Sequence, residues 1–312
     1  MKNLKIVGNF KIYAGALALV IIAAVIVGAF TGWFNLGIDF TGGTLITIEL
    51  GRDFEASDVE GVLDSIGISE YSVAKTGDLG AVTQASIRIK SLESVEAEEA
   101  FQQQLVAGLI SQYPATATVS SERVGAVAGR TLIQNAVMSI VIAGALMMVY
   151  IWIRFELVSG VIAIITSVLN VLPMMAAMIF FRSKFQVNSS FIAACLTILG
   201  YSINNTIIVF DRIREENRRY AKRTHTRCEV AEISVTKSLG RMINSTVTSL
   251  ITITVLYFMG VDSIKEFAMP LIIGMAFGTY ISVFIAPALW GLWMDGDKKP
   301  ASAGGARKAK KA

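Results

Sequence analysis

The sequence predicts an α-helical membrane protein with six spans and one small α+β domain carried outside the bilayer between the first two. Three observations predict it. Of 312 residues, 54% are hydrophobic and 17% charged, and the mean hydropathy is +0.59, outside the range of soluble domains. Six runs, at 12–38, 131–153, 157–181, 185–210, 242–261 and 267–294, contain no Asp, Glu, Lys or Arg. Each has the roughly 20 residues that a helix needs to cross the hydrocarbon core. Between the first two runs the apolar periodicity switches from helical to that of a compact α/β unit.

The segment 35–129 holds five basic and fourteen acidic residues, a net charge of −9 in a chain whose total is +4. The bases gather at the amino terminus, between Arg212 and Arg241, and from Lys298 to Lys311. By the positive-inside rule those three segments are cytoplasmic, with both termini inside, and the acidic segment is extracytoplasmic. Arg182 and Lys184 oppose that assignment as one short pair against three basic segments. The first run follows Lys2, Lys5 and Lys11, is too long for a signal-peptide core and lacks a clear small-x-small cleavage site, so it reads as an uncleaved anchor. The organisation is then 1–34 for the amino terminus and first span, and 35–129 for the external domain. Residues 130–294 form a five-helix bundle with a cytoplasmic loop at 211–241, and 295–312 a basic tail of disordered composition.

Within 35–129, residues 44–50 (TLITIEL) are β-rich, and 85–91 (ASIRIKS) alternate, with Ile87 and Ile89 on one face and Arg88 and Lys90 on the other. Ser57 and Glu60 have capping-box spacing, and Val59, Val62, Leu63 and Ile66 recur at helical spacing until Gly67. Phe101, Leu105, Leu109 and Tyr113 mark a second helix, stopped by Pro114. Weaker strands at 71–75 and 115–121 complete the order β-α-β-β-α-β, the ferredoxin-like arrangement. Its open sheet face suits contact with another polypeptide, and a structural spacer fits equally. The acidic residues lie at solvent-facing helix positions and form no catalytic constellation.

Polar residues inside a bilayer are costly and mark functional sites. In the fourth run Thr197, Tyr201, Asn204 and Asn205 share one stripe; entering the fifth, Arg241, Asn244, Ser245, Thr248 and Thr252 share another. Two facing stripes would line a hydrated path, and ordinary interhelical hydrogen bonds, about 1 kcal/mol each, are the alternative. Gly274, Gly278 and Ser282 form a small-xxx-small face for close helix packing. Asn170 and Pro173 mark a break or kink in the third span. Residues 211–223 (DRIREENRRYAKR) read as a juxtamembrane helix with solvated charges that also meet anionic lipid.

Two cysteines, Cys195 in a span and Cys228 in the basic loop, make no disulfide framework, and the single histidine, His225, makes no metal cluster. No G-x-x-x-x-G-K-[ST] loop occurs, so nucleotide hydrolysis by that chemistry is excluded and energy must come from a partner or an ion gradient. The chain reads as a non-enzyme without catalytic residues, metal, cofactor or nucleic-acid partner.

Three motifs occur in order: Gly37-Ile38-Asp39-Phe40-Thr41-Gly42-Gly43; Gly200-Tyr201-Ser202-Ile203-Asn204-Asn205-Thr206 leading to Val209-Phe210-Asp211-Arg212-Ile213-Arg214-Glu215; and Gly278-Thr279-Tyr280 with Phe284-Ile285-Ala286. Together they resemble the SecD/SecF family of bacterial protein-export membrane subunits, on its SecF side, within the resistance-nodulation-division superfamily. The resemblance extends from the first anchor to about Trp290. It implies one six-span half of a bundle completed by SecD about a pseudo-twofold axis, in the bacterial cytoplasmic membrane. It also implies the SecYEG channel, YajC- and YidC-type accessory proteins and a translocating polypeptide as partners. The implied activity is export assistance after the ATP-driven motor has acted, through external domains moved by the ion gradient.

The same resemblance assigns Asp39, Gly42 and Gly43 to a motif after the first span, and Asn204, Asn205, Arg241 and Asn170 to intramembrane polar positions. The family's usual aspartate after Asn204 is Asn205 here, and Leu169-Asn170 stand where the third span often has His-Asp. Asparagine hydrogen-bonds but releases no proton near neutral pH. Asn205 and Arg241 approach from the same membrane side, which makes a hydrogen bond between them feasible. Three readings stay open: a SecF-type subunit whose partner supplies the titrating carboxylate, a scaffold or passive holder without ion coupling, and a small-molecule transporter half. The last is disfavoured by a single external domain of about ninety residues.

Overall fold

The computed structural model describes residues 6–68, 71–76, 83–90, 94–154, 156–220, 225–260 and 262–296. The basic tail beyond Gly296 and residues 221–224 of the basic loop lie outside them. Six helical segments are long and apolar enough to cross a bilayer: Phe10–Thr31, Ala128–Ile151, Leu157–Phe180, Ser189–Arg219, Arg227–Met259 and Ile264–Asp295.

Helix α1 (Phe10–Thr31) stops at Gly32, and a single helical turn, α2 (Ile38–Thr41), leads into the domain. There β1 (Gly43–Glu49), α3 (Ala56–Ile66), β2 (Tyr71–Thr76), β3 (Gln84–Ile89), α4 (Val95–Ile110) and β4 (Ala117–Val124) follow in the ferredoxin-like order. The strands form one antiparallel sheet, β2-β3-β1-β4, with Ile46 of β1 opposite Ile87 of β3 and Ser121 of β4. Alternation puts Ile46, Ile48, Ile87 and Ile89 on one face, where Val59 and Leu63 of α3 and Phe101, Leu105 and Leu109 of α4 cover them. All nine are buried, each contributing about 1.5–3 kcal/mol, so the domain closes its core with its own residues.

Local details depart from the sequence pattern. Ser57 does not cap α3: Asp58 N already bonds the Glu55 carbonyl, so the helix begins with Glu55 as N-cap and Ser57 falls in its first turn. A side-chain cap does start α4, where Ser94 Oγ accepts from Ala97 N at 3.1 Å. The last strand begins at Ala117 rather than 115, because Thr116 N turns back to the Tyr113 carbonyl at 3.0 Å. Glu98 is not solvated; it is buried against β4, accepting from the Ser121 hydroxyl and lying 3.9 Å from Arg123.

The chain returns through α5 (Ala126–Arg154), α6 (Leu157–Phe180), α7 (Ser189–Tyr220), α8 (Arg227–Met259), α9 (Asp262–Tyr280), a π-helical turn at Ile281–Ile285 and α10 (Ala286–Gly296). The third, fourth and sixth spans form the buried centre, while α1, α5 and α8 present side chains such as Phe30, Leu146 and Phe258 outward, as lipid-facing helices do. Pro173 does not break the third span: α6 is continuous from Leu157 to Phe180. The irregularity falls in the sixth span at the π turn, a feature that concentrates at functional sites.

Helix α7 has 32 residues, about 48 Å, and outruns a hydrocarbon core of roughly 30 Å. Its charged end is therefore continuous with the span, and the segment 211–241 is two helix ends joined by a short link. Glu216 overturns the solvated reading of that end. It is fully buried, 2.8 Å from Lys237 Nζ and 3.0 Å from Arg212 Nη2. Thr226 and Glu229 form a capping box on α8, and Asp295 accepts from the Arg227 and Cys228 N–H groups at 3.2 and 3.3 Å.

Candidate functional site

Helices α7 and α9 run side by side in constant register. Thr206 Oγ1 lies 3.0 Å from Ser282 Oγ in the π turn, 76 residues on, and Gly274 meets Ile198 at the same offset. A Cβ on Gly274 would fall 2.7 Å from Ile198 Cγ1, so glycine sets the helix separation there. By this register Ser202 lies level with Gly278, over which the Asn170 side chain of α6 packs. A Cβ at 278 would stand 2.7 Å from Asn170 Nδ2. The predicted packing residues Gly274, Gly278 and Ser282 thus face three different partners: an aliphatic side chain, an amide and a hydroxyl.

Around them is a buried cluster of neutral polar groups. Asn205 Nδ2 donates to Thr279 Oγ1 at 3.3 Å; Thr279 Oγ1 is 2.7 Å from Thr246 Oγ1 of α8, which also meets the Tyr201 hydroxyl at 3.1 Å. Asn170, Ser202 and Asn205 are fully buried, and both amide atoms of Asn170, Ser202 Oγ and Asn205 Oδ1 have no hydrogen-bond partner among the described residues. Such a cluster can exchange hydrogen bonds between helices and hold water, but it contains no carboxylate or imidazole to carry a proton. Among the described residues no group of three or more His, Cys, Asp or Glu is placed to bind a metal.

The other polar residues of the two stripes separate from this cluster. Thr197 and Asn204 of α7, and Arg241, Asn244, Thr248 and Thr252 of α8, lie exposed on the outside of the bundle. The feasible Asn205–Arg241 hydrogen bond is not formed. Neighbours in an α-helix point about 100° apart, so Asn205 turns in towards Thr279 while Asn204 turns out. Arg241 makes no hydrogen bond or ion pair among the described residues. Instead of one path lined by two facing stripes, the chain has an inner polar cluster and an outer polar flank.

The glycine motif after the first span sits where the domain meets the bundle. Asp39 Oδ2 accepts from the N–H of Ser189, the first residue of α7, at 2.8 Å. Gly42 and Gly43 have φ of +70 and +134, and a Cβ on Gly43 would lie 2.6 Å from the Ile89 carbonyl oxygen, so only glycine lets β1 start this close to β3. Arg88, read from the sequence as the wet side of a strand, belongs to this junction. Its Nη1 donates to the Leu36 carbonyl at 2.7 Å and to Asn35 Oδ1 at 3.2 Å. Burial lowers its pKa, partly offset by the nearby Glu266 carboxylate. Ser202, Thr206, Thr246 and Thr279 were also missed as site residues; their spacing against the small-residue face was the available signal.

This fold and site define a multi-pass membrane protein whose one ferredoxin-like domain is seated on the ends of its spanning helices. Residues 106–296 match the family model for the protein export membrane protein SecD/SecF, C-terminal, and residues 27–53 match the SecD/SecF GG motif. Protein translocase subunit SecF of Synechocystis is 33% identical over 83% of this chain and 83% of its own length. That of Rickettsia felis is 34% identical over 90% and 89%. The chain belongs to the SecD/SecF family. The crystal structure of SecDF, a translocon-associated membrane protein from Thermus thermophilus, superposes with a TM-score of 0.83 at 28% identity over 94% of this chain. A SecDF structure in a super-membrane-facing form gives 0.65 at 26% identity over 95%. The chain spans 39% of each of those SecDF chains.

Proposed function

We propose that this chain is an auxiliary subunit of a Sec-type protein translocase, which pairs with a SecD-type half and uses an ion gradient to promote late steps of polypeptide export. The observation that carries the pairing is the exposed polar flank of Asn204, Arg241 and Asn244 on spanning helices. An arginine facing hydrocarbon costs about 2.5–3.5 kcal/mol on insertion scales, so the flank is better covered by protein than by lipid. The matched SecDF chains, more than twice as long as this one, accord with a second half as the cover. On this reading a carboxylate of the SecD-type half meets Arg241 and Asn204, and Asn170 and Asn205 support the path from the inner side.

The charge asymmetry supports a bacterial cytoplasmic membrane location with both termini cytoplasmic and the acidic domain extracytoplasmic. The SecYEG channel, YajC- and YidC-type proteins, a translocating polypeptide and anionic lipid complete the proposed surroundings. This chain makes and breaks no covalent bond in that role.

The test is translocation into inverted vesicles with the gradient imposed or collapsed. Arg241→Leu, or loss of the partner's facing carboxylate, abolishes gradient-stimulated export. Full stimulation surviving both changes overturns the coupled reading. The neutral composition of the inner cluster favours a second reading, a passive holder of the emerging chain, and indifference of the unmodified complex to the gradient would establish it.

A further inference from the structure

The domain is joined to the bundle covalently at two points, and both contain glycine: Gly42 before β1 with Gly43 at its start, and Gly125 between β4 and α5. Two glycine joints alone would let the domain pivot. The pivot is blocked by polar contacts at the domain-side ends of α7 and α9. Leu36 and Val187 pair as a parallel bridge, with Gly37 N bonding the Val187 carbonyl and Val187 N the Asn35 carbonyl, each at 2.8 Å. The start of α7 is capped twice: Asn188 Oδ1 accepts from Phe191 N at 3.1 Å, and Asp39 Oδ2, 150 residues away in sequence, accepts from Ser189 N at 2.8 Å. Asn188 Nδ2 donates in turn to Glu266 of α9. From the domain side Arg88 of β3 grips Leu36 and Asn35 and faces the same Glu266 charge. The junction is tightly packed: a Cβ on Gly37 would lie 2.9 Å from Asn188 Cβ, and one on Gly129 3.2 Å from the Asp39 and Phe40 carbonyl oxygens.

The two helices gripped here are the two that the inner cluster joins, through Asn205 to Thr279 and Thr206 to Ser282. Between Ser189 and Asn205 α7 is an unbroken helix, a rigid connection of about 24 Å. We propose that Asp39 and Arg88 are positioning residues that convert a shift of α7 against α9 at the cluster into a displacement of the domain. Asp39 holds the N-terminus of α7 to the turn that leads into β1, and Arg88 holds β3 to the 35–36 segment bridged to Val187, so the start of α7 does not move without the sheet. Release of both contacts parts β3 from the 35–36 segment and the α2 turn from the start of α7. The inference deepens the coupled-export reading and takes its purpose from it, but its test involves no export.

Spin labels at Gln103→Cys on α4 and Lys184→Cys before α7, in a Cys195→Ala, Cys228→Ser chain purified with its co-expressed SecD-type partner in nanodiscs, report the domain-to-bundle distance. The cluster is perturbed by Asn205→Asp and, independently, by Thr279→Val. Each perturbation shifts the mean distance with Asp39 and Arg88 native. The shift is lost in Asp39→Ala/Arg88→Gln and kept in Asp39→Asn, which retains a capping oxygen. A purely structural role for the pair would lower stability without removing the response to the cluster. The proposal is overturned if the shift persists in Asp39→Ala/Arg88→Gln, or if neither cluster change moves the domain in the native background. A failure of gradient-stimulated export with the distance response intact would instead remove the coupled-export reading alone.

Discussion

Asn205 on α7 donates its side-chain amide to the Thr279 hydroxyl on α9 at 3.3 Å, and that hydroxyl lies 2.7 Å from Thr246 on α8. One threonine oxygen thus ties three spans. Thr279→Val keeps the shape and strips the oxygen, leaving Asn205 without a partner for either amide atom. A buried unsatisfied polar group costs about 1–3 kcal/mol, so the unfolding midpoint of the purified complex falls, while Thr279→Ser stays close to native. Equal midpoints for the valine and native proteins would remove this bond from the account.

Asn205→Asp adds a carboxylate to a cluster whose described side chains are carboxamides and hydroxyls. The Thr279 hydroxyl, which accepts from Asn205 and donates to the Met275 carbonyl, can turn its proton to the new carboxylate, so the variant assembles with its partner. On the coupled-export reading, gradient-stimulated translocation then acquires a pH or sodium dependence beyond that of the native complex. Identical profiles for the two proteins would place position 205 outside the coupling path.

Gly278 packs beneath Asn170, whose amide has no hydrogen-bond partner to lose among the described residues. Gly278→Ala therefore destabilises by overpacking, on the order of 1–3 kcal/mol. Combining it with Asn170→Ala recovers most of that loss, read as the thermal midpoint of the complex. If the double variant is no better than Gly278→Ala, the clash lies with another neighbour.

The excised segment 35–129 folds as a soluble monomer, because its core residues are all its own. Its stability falls at alkaline pH. The Tyr113 hydroxyl donates to Asp58 Oδ2, a bond to the protonated phenol that raises the Tyr113 pKa above its ordinary value of 10.0, as burial also does. A raised pKa contributes stability that is complete below the unfolded value and is lost as pH rises through the folded one. Urea midpoints measured on either side of that value should drop more for the native domain than for Tyr113→Phe. A chain that stays unfolded throughout would show that the bundle completes the core.

For orientation, single cysteines at Gln103 and Arg218, both exposed, are compared in a background without Cys195 and Cys228. A membrane-impermeant thiol reagent added to spheroplasts labels position 103 and spares 218 until the membrane is opened. Labelling of 218 from outside reverses the proposed topology.

Much of the architecture could be read in one dimension. A span needs about 20 uncharged residues in a row, and the six runs supply them; strands and helices of the domain announce themselves by periods of two and 3.6. The family motifs are contiguous as well. The small-residue face at Gly274, Gly278 and Ser282 was visible for the same reason, since its spacing belongs to one helix.

What each residue touches was decided only by tertiary structure. Asn204 and Asn205 are equivalent to a stripe argument, yet one faces outward and the other Thr279, because the position of α9 divides them. Glu216 lies in a charged run that looks solvated, and is buried because Lys237 of α8 arrives beside it. Arg88 alternates correctly on its strand but finds its acceptors 52 and 53 residues away, and Asp39 caps a helix 150 residues on. Local geometry and transfer free energy depend on a residue and its near neighbours, so sequence by itself determined the spans, the domain pattern and the family motifs. Partners far apart along the chain depend on how the helices pack, and only the folded molecule selected them.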